Sequence, residues 1–184
     1  MLLGIRKPSR VAVFISGAGS TLQALLEMQH QISVSLIVTN RKKATGILKA
    51  KRFGCPILFL PNPISYEWLN QELQKFKIDR LFLAGFMKIL PEDFVKSWEN
   101  KIDNIHPSLL PQYPGLEASV HSWNEKREVG VTIHQVVAQI DAGPVRLQQM
   151  ALKQVEMSFS EASLFLRRTE QHLLREYSLR WSTE

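Results

Sequence analysis

Val11-Ala12-Val13-Phe14-Ile15-Ser16-Gly17-Ala18-Gly19-Ser20-Thr21-Leu22-Gln23-Ala24-Leu25-Leu26-Glu27-Met28 holds a strand, a turn and a helix in immediate succession. The unbroken apolar run Val11 to Ile15 is the pattern of a strand buried on both faces of a parallel sheet. Ser16 to Gly19 reads as a tight turn, after which Leu22, Leu25 and Leu26 recur at helical spacing, with Ser20 or Thr21 available as a cap. Such a junction suits an anion: glycines let a ligand approach the backbone, free amides point outward, and the helix dipole favours negative charge. Phosphate is the natural ligand, and Gly19, Ser20 and Thr21 are its candidate contacts. No lysine follows the glycines as in a Walker loop, and the third glycine of a dinucleotide fingerprint is missing. A plain tight turn has the same composition.

The βα pattern repeats outward from this stretch. Val34 to Thr39 is a second buried run, followed by the loop Asn40 to Lys43 and a helix from Gly46 to Phe53. Pro56 to Leu60 is a third strand, and Leu69, Leu73 and Phe76 mark a helix over Tyr66 to Phe76. Arg80 to Ala84 is a further strand. This alternation predicts an α/β fold with a doubly wound, mostly parallel, Rossmann-like sheet. Val129 to Val137 and Val145 to Met150 form an antiparallel extension near the C-terminus, and a last helix starts at Ser160 or Ser158 and runs to about Trp181. With no repeat or linker, residues 1–184 read as a single domain. Ligands of such sheets sit beyond the carboxyl ends of the strands. The glycine loop, Gly85 to Leu90, and Asn104 to Gly115 all fall there.

Composition narrows the classes. Of 184 residues, 45% are hydrophobic and 22% charged, which argues against disordered and fibrous chains. The net charge of +6 comes from scattered bases such as Arg41, Lys42, Lys43 and Lys49. Without an aromatic-interleaved basic run, no nucleic-acid partner is expected; a solvated surface or a phosphorylated small molecule accounts for the charge. The single cysteine, Cys55, excludes an internal disulfide and favours a reducing compartment. Met1 to Lys7 is too short for a signal peptide, and no apolar run approaches the roughly 18 residues of a membrane span. The expectation is a cytoplasmic protein with no membrane partner.

The chemistry gathers at Asn104-Ile105-His106-Pro107-Ser108-Leu109-Leu110-Pro111-Gln112-Tyr113-Pro114-Gly115. Strand alternation places Asn104 and His106 on one face, and the three prolines stiffen the loop beyond the strand. Thr132 and His134 share a face in the next strand, and Asp141 lies in the turn Ile140 to Pro144, from which its carboxylate can face inward. Singly, His106 can be a core histidine and Asp141 a turn former. Together these residues fit acyl transfer to an amine: the amide stabilises an oxyanion, the imidazole exchanges protons, and the carboxylate orients or charges the imidazole. No HExxH, CxxC or carboxylate cluster is present, so no metal is expected.

The motifs Ile15-Ser16-Gly17-x-Gly19-Ser20, Leu83-Ala84-Gly85-Phe86-Met87-Lys88-Ile89-Leu90, Asn104 to Gly115, Gly130-Val131-Thr132-Ile133-His134 and Asp141-x-Gly143-Pro144 resemble those of the folate-dependent glycinamide ribonucleotide formyltransferase family of purine biosynthesis. The resemblance implies transfer of a formyl group from 10-formyltetrahydrofolate, a co-substrate, to the amino group of glycinamide ribonucleotide. It implies that Asn104 binds the formyl oxygen, that His106 is the general acid and base, and that Asp141 raises its basicity directly or through water. Met87, Lys88, Ile89 and Leu90, with Asn104 and Tyr66, are then the folate site; Gly19, Ser20 and Thr21 hold the ribonucleotide phosphate, and Thr132 and His134 back the catalytic group. A cis bond before Pro111 and a monomer or homodimer are further implications. The chain departs from the family at Thr21, where asparagine is usual, at Tyr66, where arginine is common, and at Gln171, where a glutamate would contact the ribonucleotide. Another amine acceptor, such as an amino sugar nucleotide, and a weakly catalytic folate or nucleotide binder are the alternatives these departures leave.

Overall fold

A computed structural model describes residues 9–28, 32–126, 128–153 and 156–181. The N-terminal Met1 to Lys7, and with it the reading on a signal peptide, lies outside them. The chain opens with β1 (Arg10–Ile15), α1 (Ser20–Glu27), β2 (Ser33–Thr39), α2 (Gly46–Arg52), β3 (Ile57–Phe59) and α3 (Tyr66–Lys75). It continues through β4 (Arg80–Leu83), α4 (Glu92–Ser97), β5 (Ile102–His106), α5 (Ala118–Lys126), β6 (Glu128–Gln135), β7 (Val145–Lys153) and α6 (Phe159–Trp181).

The strands form one sheet in the order β3-β2-β1-β4-β5-β6-β7. β1 to β5 are parallel, and β6 and β7 are antiparallel additions. Chain direction across the sheet reverses between β1 and β4, and a crevice opens where the connections leave these two strands in opposite directions. Ser16 closes its floor. Its hydroxyl donates to Asn40 Oδ1 (2.7 Å) and accepts from the Met87 amide (2.8 Å), so one fully buried side chain joins the exits of β1, β2 and β4.

β1 is apolar on both sides because both are covered. Val11, Val13 and Ile15 pack in a cluster with Leu22, Leu25 and Leu26 of α1 and Leu173, Leu174 and Tyr177 of α6. Ala12 and Phe14 pack on the other side with Leu69 and Leu73 of α3 and Phe94 and Val95 of α4. Each such large side chain, fully buried, contributes about 1.5–3 kcal/mol. On the α3/α4 side of β5 and β6 the apolar pattern breaks: Asn104 pairs with His134 and His106 with Thr132 across the two strands. Four polar side chains stand there together.

The sequence expectations hold for element type, with ends moved by one to three residues, the most at β7, which runs to Lys153 rather than Met150. α4 and α5 were not anticipated. Neither Ser20 nor Thr21 caps α1: the helix begins behind Gly19, whose φ of 67° is left-handed, with no side-chain cap. For α6 the cap is Ser158, whose Oγ accepts from the Glu161 amide while the Glu161 carboxylate accepts from Ser158, a reciprocal capping box.

Candidate active site

β5 delivers Asn104 and His106 to the cleft. Beyond it, the loop is fastened from two sides. Thr132 Oγ1 donates to the Ser108 carbonyl (2.6 Å) and accepts from the Leu110 amide (3.1 Å), while Gln148 of β7 reaches both the Leu110 carbonyl and Thr132 Oγ1 at 2.8 Å. Gly130 makes room for the Leu109 side chain, which a Cβ at that position would overlap. The Leu110–Pro111 peptide is cis. Thr132 therefore serves the loop backbone rather than an imidazole, and Gln148, which the sequence did not single out, is its equal partner.

Asp141 faces this loop from the turn between β6 and β7. Its φ of 50° lies in the left-handed region, which aspartate tolerates better than most residues. Oδ2 accepts from the Gly115 amide at 2.7 Å and lies 3.4 Å from His106 Nδ1; Oδ1 lies 3.4 Å from His134 Nε2 and 3.5 Å from Asn104 Nδ2. The four predicted groups are thus one cluster.

Hydrogen-bond partners assign the protons. His106 Nε2 meets the Tyr113 carbonyl at 2.9 Å, and a carbonyl can only accept, so Nε2 carries the hydrogen and Nδ1 presents its lone pair. His134 Nδ1 likewise donates to the Gln135 carbonyl at 2.9 Å, leaving Nε2 to accept from Asn104 Nδ2 at 3.1 Å. Burial pushes His106 below its ordinary value; the Tyr113 carbonyl and the Asp141 charge pull it back up, and His134 opposes them. Burial would also raise the Asp141 carboxyl, but its contacts with His134, the Gly115 amide and His106 together hold it below the usual range. Neutral pH therefore finds an uncharged imidazole beside a carboxylate: a base with an anion to stabilise its protonated form.

The flanks of the cleft carry the binding candidates. Met87 and Ile89 are exposed at its rim and Lys88 points outward, while the Leu90 side chain is buried in the core and leaves only its backbone for a ligand. Tyr66 donates to the Ile89 carbonyl (3.3 Å) and packs on Phe94, bracing this segment where the family commonly has a cation. A hollow of about 280 Å³ lined by Asn40, Arg41, Asn62, Ile64, Met87 and Lys88 opens beside it. In the glycine loop Ser20 is exposed, but the Thr21 hydroxyl donates to Glu170 of α6, so only the Thr21 backbone faces a ligand freely. Gln171 is solvent-exposed, whereas the neighbouring Glu170 turns inward. A carboxylate thus stands one residue before position 171, bound to the Thr21 hydroxyl.

A cleft at the switch point of a mostly parallel sheet, holding an amide and a neutral imidazole each within 3.5 Å of one carboxylate, is the arrangement of an acyl-transfer enzyme. Residues 9–163 match the formyl transferase family, and the chain belongs to it. The relatives it resembles over most of their length are phosphoribosylglycinamide formyltransferases: that of Haemophilus influenzae is 32% identical, covering 95% of this chain and 87% of its own. The crystal structure of the enzyme from Anaplasma phagocytophilum superposes with a TM-score of 0.86 at 34% identity, covering 94% of this chain and 88% of that one. The human trifunctional purine biosynthetic protein adenosine-3 is 37% identical over 155 residues, 78% of this chain, which spans 15% of the human protein's length.

Proposed function

We propose that the protein transfers the formyl group of 10-formyltetrahydrofolate to the amino group of glycinamide ribonucleotide, in purine biosynthesis, within a single domain and in the cytoplasm. What carries this reading is the Asn104–His106–Asp141 cluster beside a glycine loop whose helix lacks a side-chain cap. Among the described residues no helix is long and apolar enough to cross a membrane, and no cluster of ligating side chains fits a metal.

The substrate amine attacks the formyl carbon, forming a C–N bond and moving the carbonyl electrons onto oxygen. Asn104 Nδ2 donates to that oxyanion; of its two present bonds, the 3.5 Å contact to Asp141 is the weaker and the one exchanged. His106 takes the ammonium proton at Nδ1, Asp141 stabilises the imidazolium across 3.4 Å, and the proton then passes to N10 of the folate as the C–N10 bond breaks. Met87 to Leu90 hold the folate, and the amides of Gly19, Ser20 and Thr21 hold the phosphate.

The test is an absorbance assay for released tetrahydrofolate with glycinamide ribonucleotide as acceptor. Wild-type protein turns over, and Asn104→Ala lowers kcat by roughly 10²–10³. No transfer by the wild type, or less than a threefold loss in the variant, refutes the assignment.

A further inference from the structure

We infer that Gly46 and Lys49 of α2 are positioning residues that aim the amides of the glycine loop, and that Lys49 sets affinity for the phosphorylated acceptor without joining the formyl transfer. This rests on the proposed function, in which the loop binds the acceptor's phosphate.

Both glycine carbonyls of the loop are held by α2. The Gly46 amide donates to the Gly17 carbonyl at 3.2 Å, and Lys49 Nζ donates to the Gly19 carbonyl at 3.0 Å, where the Gln23 amide, the first bond of α1, also arrives at 3.0 Å. A trans peptide keeps its N–H and C=O on opposite sides. Tying the Gly17 carbonyl to α2 therefore turns the Ala18 amide away from α2, and tying the Gly19 carbonyl does the same for the Ser20 amide. With no side chain capping α1, both remain for a ligand.

Contact between loop and helix is backbone on backbone. A Cβ on Gly19 would sit 2.9 Å from Gly46 Cα, and one on Gly46 would sit 2.8 Å from Ile15 Cδ1 and 3.2 Å from the Gly17 oxygen. Two glycines, 27 positions apart in sequence, are thus required by one joint. Lys49 adds charge to this geometry. The Gly19 carbonyl carries partial negative charge beside an anion site, and the half-buried ammonium offsets it. Among the described residues no carboxylate pairs with Lys49, so its charge is not neutralised locally.

Lys49→Met in the full chain raises KM for glycinamide ribonucleotide about tenfold, the size of one lost charge-assisted hydrogen bond, while kcat and KM for the folate stay within about twofold. Lys49→Arg restores KM to within about threefold, and Lys49→Gln, a donor without charge, lies between. Equal losses in kcat and both KM values, or no change in any, overturns the inference. Calorimetry with ribose 5-phosphate probes the loop without the chemistry: binding by the wild type with about tenfold weaker binding by Lys49→Met supports the role whatever acceptor is turned over. Equal affinities, or no binding by the wild type, refute it. Failure of the proposed function shows differently, as absent formyl transfer with the difference in probe affinity intact.

Discussion

At the scale of single residues, the state of His106 decides the chemistry. Its folded value lies below the ordinary one because burial outweighs the Asp141 charge and the Tyr113 carbonyl. Activity that needs the neutral base is therefore retained down to pH values below ~6.5, the unperturbed histidine value, and is lost as His106 protonates. Asp141→Asn removes an interaction that favours the charged imidazole, so the acid limb of the kcat/KM profile moves to still lower pH while the rate at neutral pH falls by roughly 10²-fold. A limb that stays in place, or moves to higher pH, excludes charge coupling between the two groups. Asn104 and His106 were legible in the sequence because strand alternation is local and exact in period. Ser16, Asn40, Gln148 and Glu170 were not. Ser16 meets Asn40 24 positions away, and Thr21 meets Glu170 149 positions away, so their roles exist only once the sheet has brought the partners together.

At the scale of elements, the turn between β6 and β7 aims Asp141, and Gly143 fixes the turn. The Gln135 carbonyl occupies the space a Cβ on Gly143 would need, while the Gln135 amide donates to the Pro144 carbonyl at 2.9 Å, so turn and strand cannot part without losing that bond. Gly143→Ala forces the turn outward by roughly an ångström, and misplacement on that scale costs about 10²-fold in kcat. Circular dichroism and thermal melting distinguish this from unfolding: overpacking there costs about 1–3 kcal/mol, within what a domain of this size survives. A variant with wild-type kcat disproves the positioning role of the turn. Sequence reading placed Asp141 and Gly143 in a turn, yet the reason for glycine is a close approach across the chain that local pattern does not contain. α4 and α5 were missed because short helices carry weak periodicity; Pro91 followed by Glu92 and Asp93 was the available signal for α4, a proline with acidic residues opening a first turn.

For the whole molecule, the site costs stability that the core must offset. The two-sided core was the most legible feature, since apolar runs such as Val11 to Ile15 announce burial on both faces; the cost lies where β5 and β6 replace apolar residues with buried histidines. His106 has a lower value folded than unfolded. Its contribution is therefore fully present above the unfolded value of ~6.5 and is lost as pH falls through that value toward the folded one, because the unfolded chain binds the proton more readily. Asp141, also lowered on folding, follows the same sign at more acidic pH, its stabilisation fading below ~3.9. Urea denaturation from pH 7.5 to 5.0 then shows a midpoint that falls with acid. In His106→Asn, which keeps a polar group but cannot take the proton, the fall over this range is shallower. If both proteins lose stability in parallel, the acid sensitivity arises elsewhere and the buried neutral imidazole is not the group that governs it.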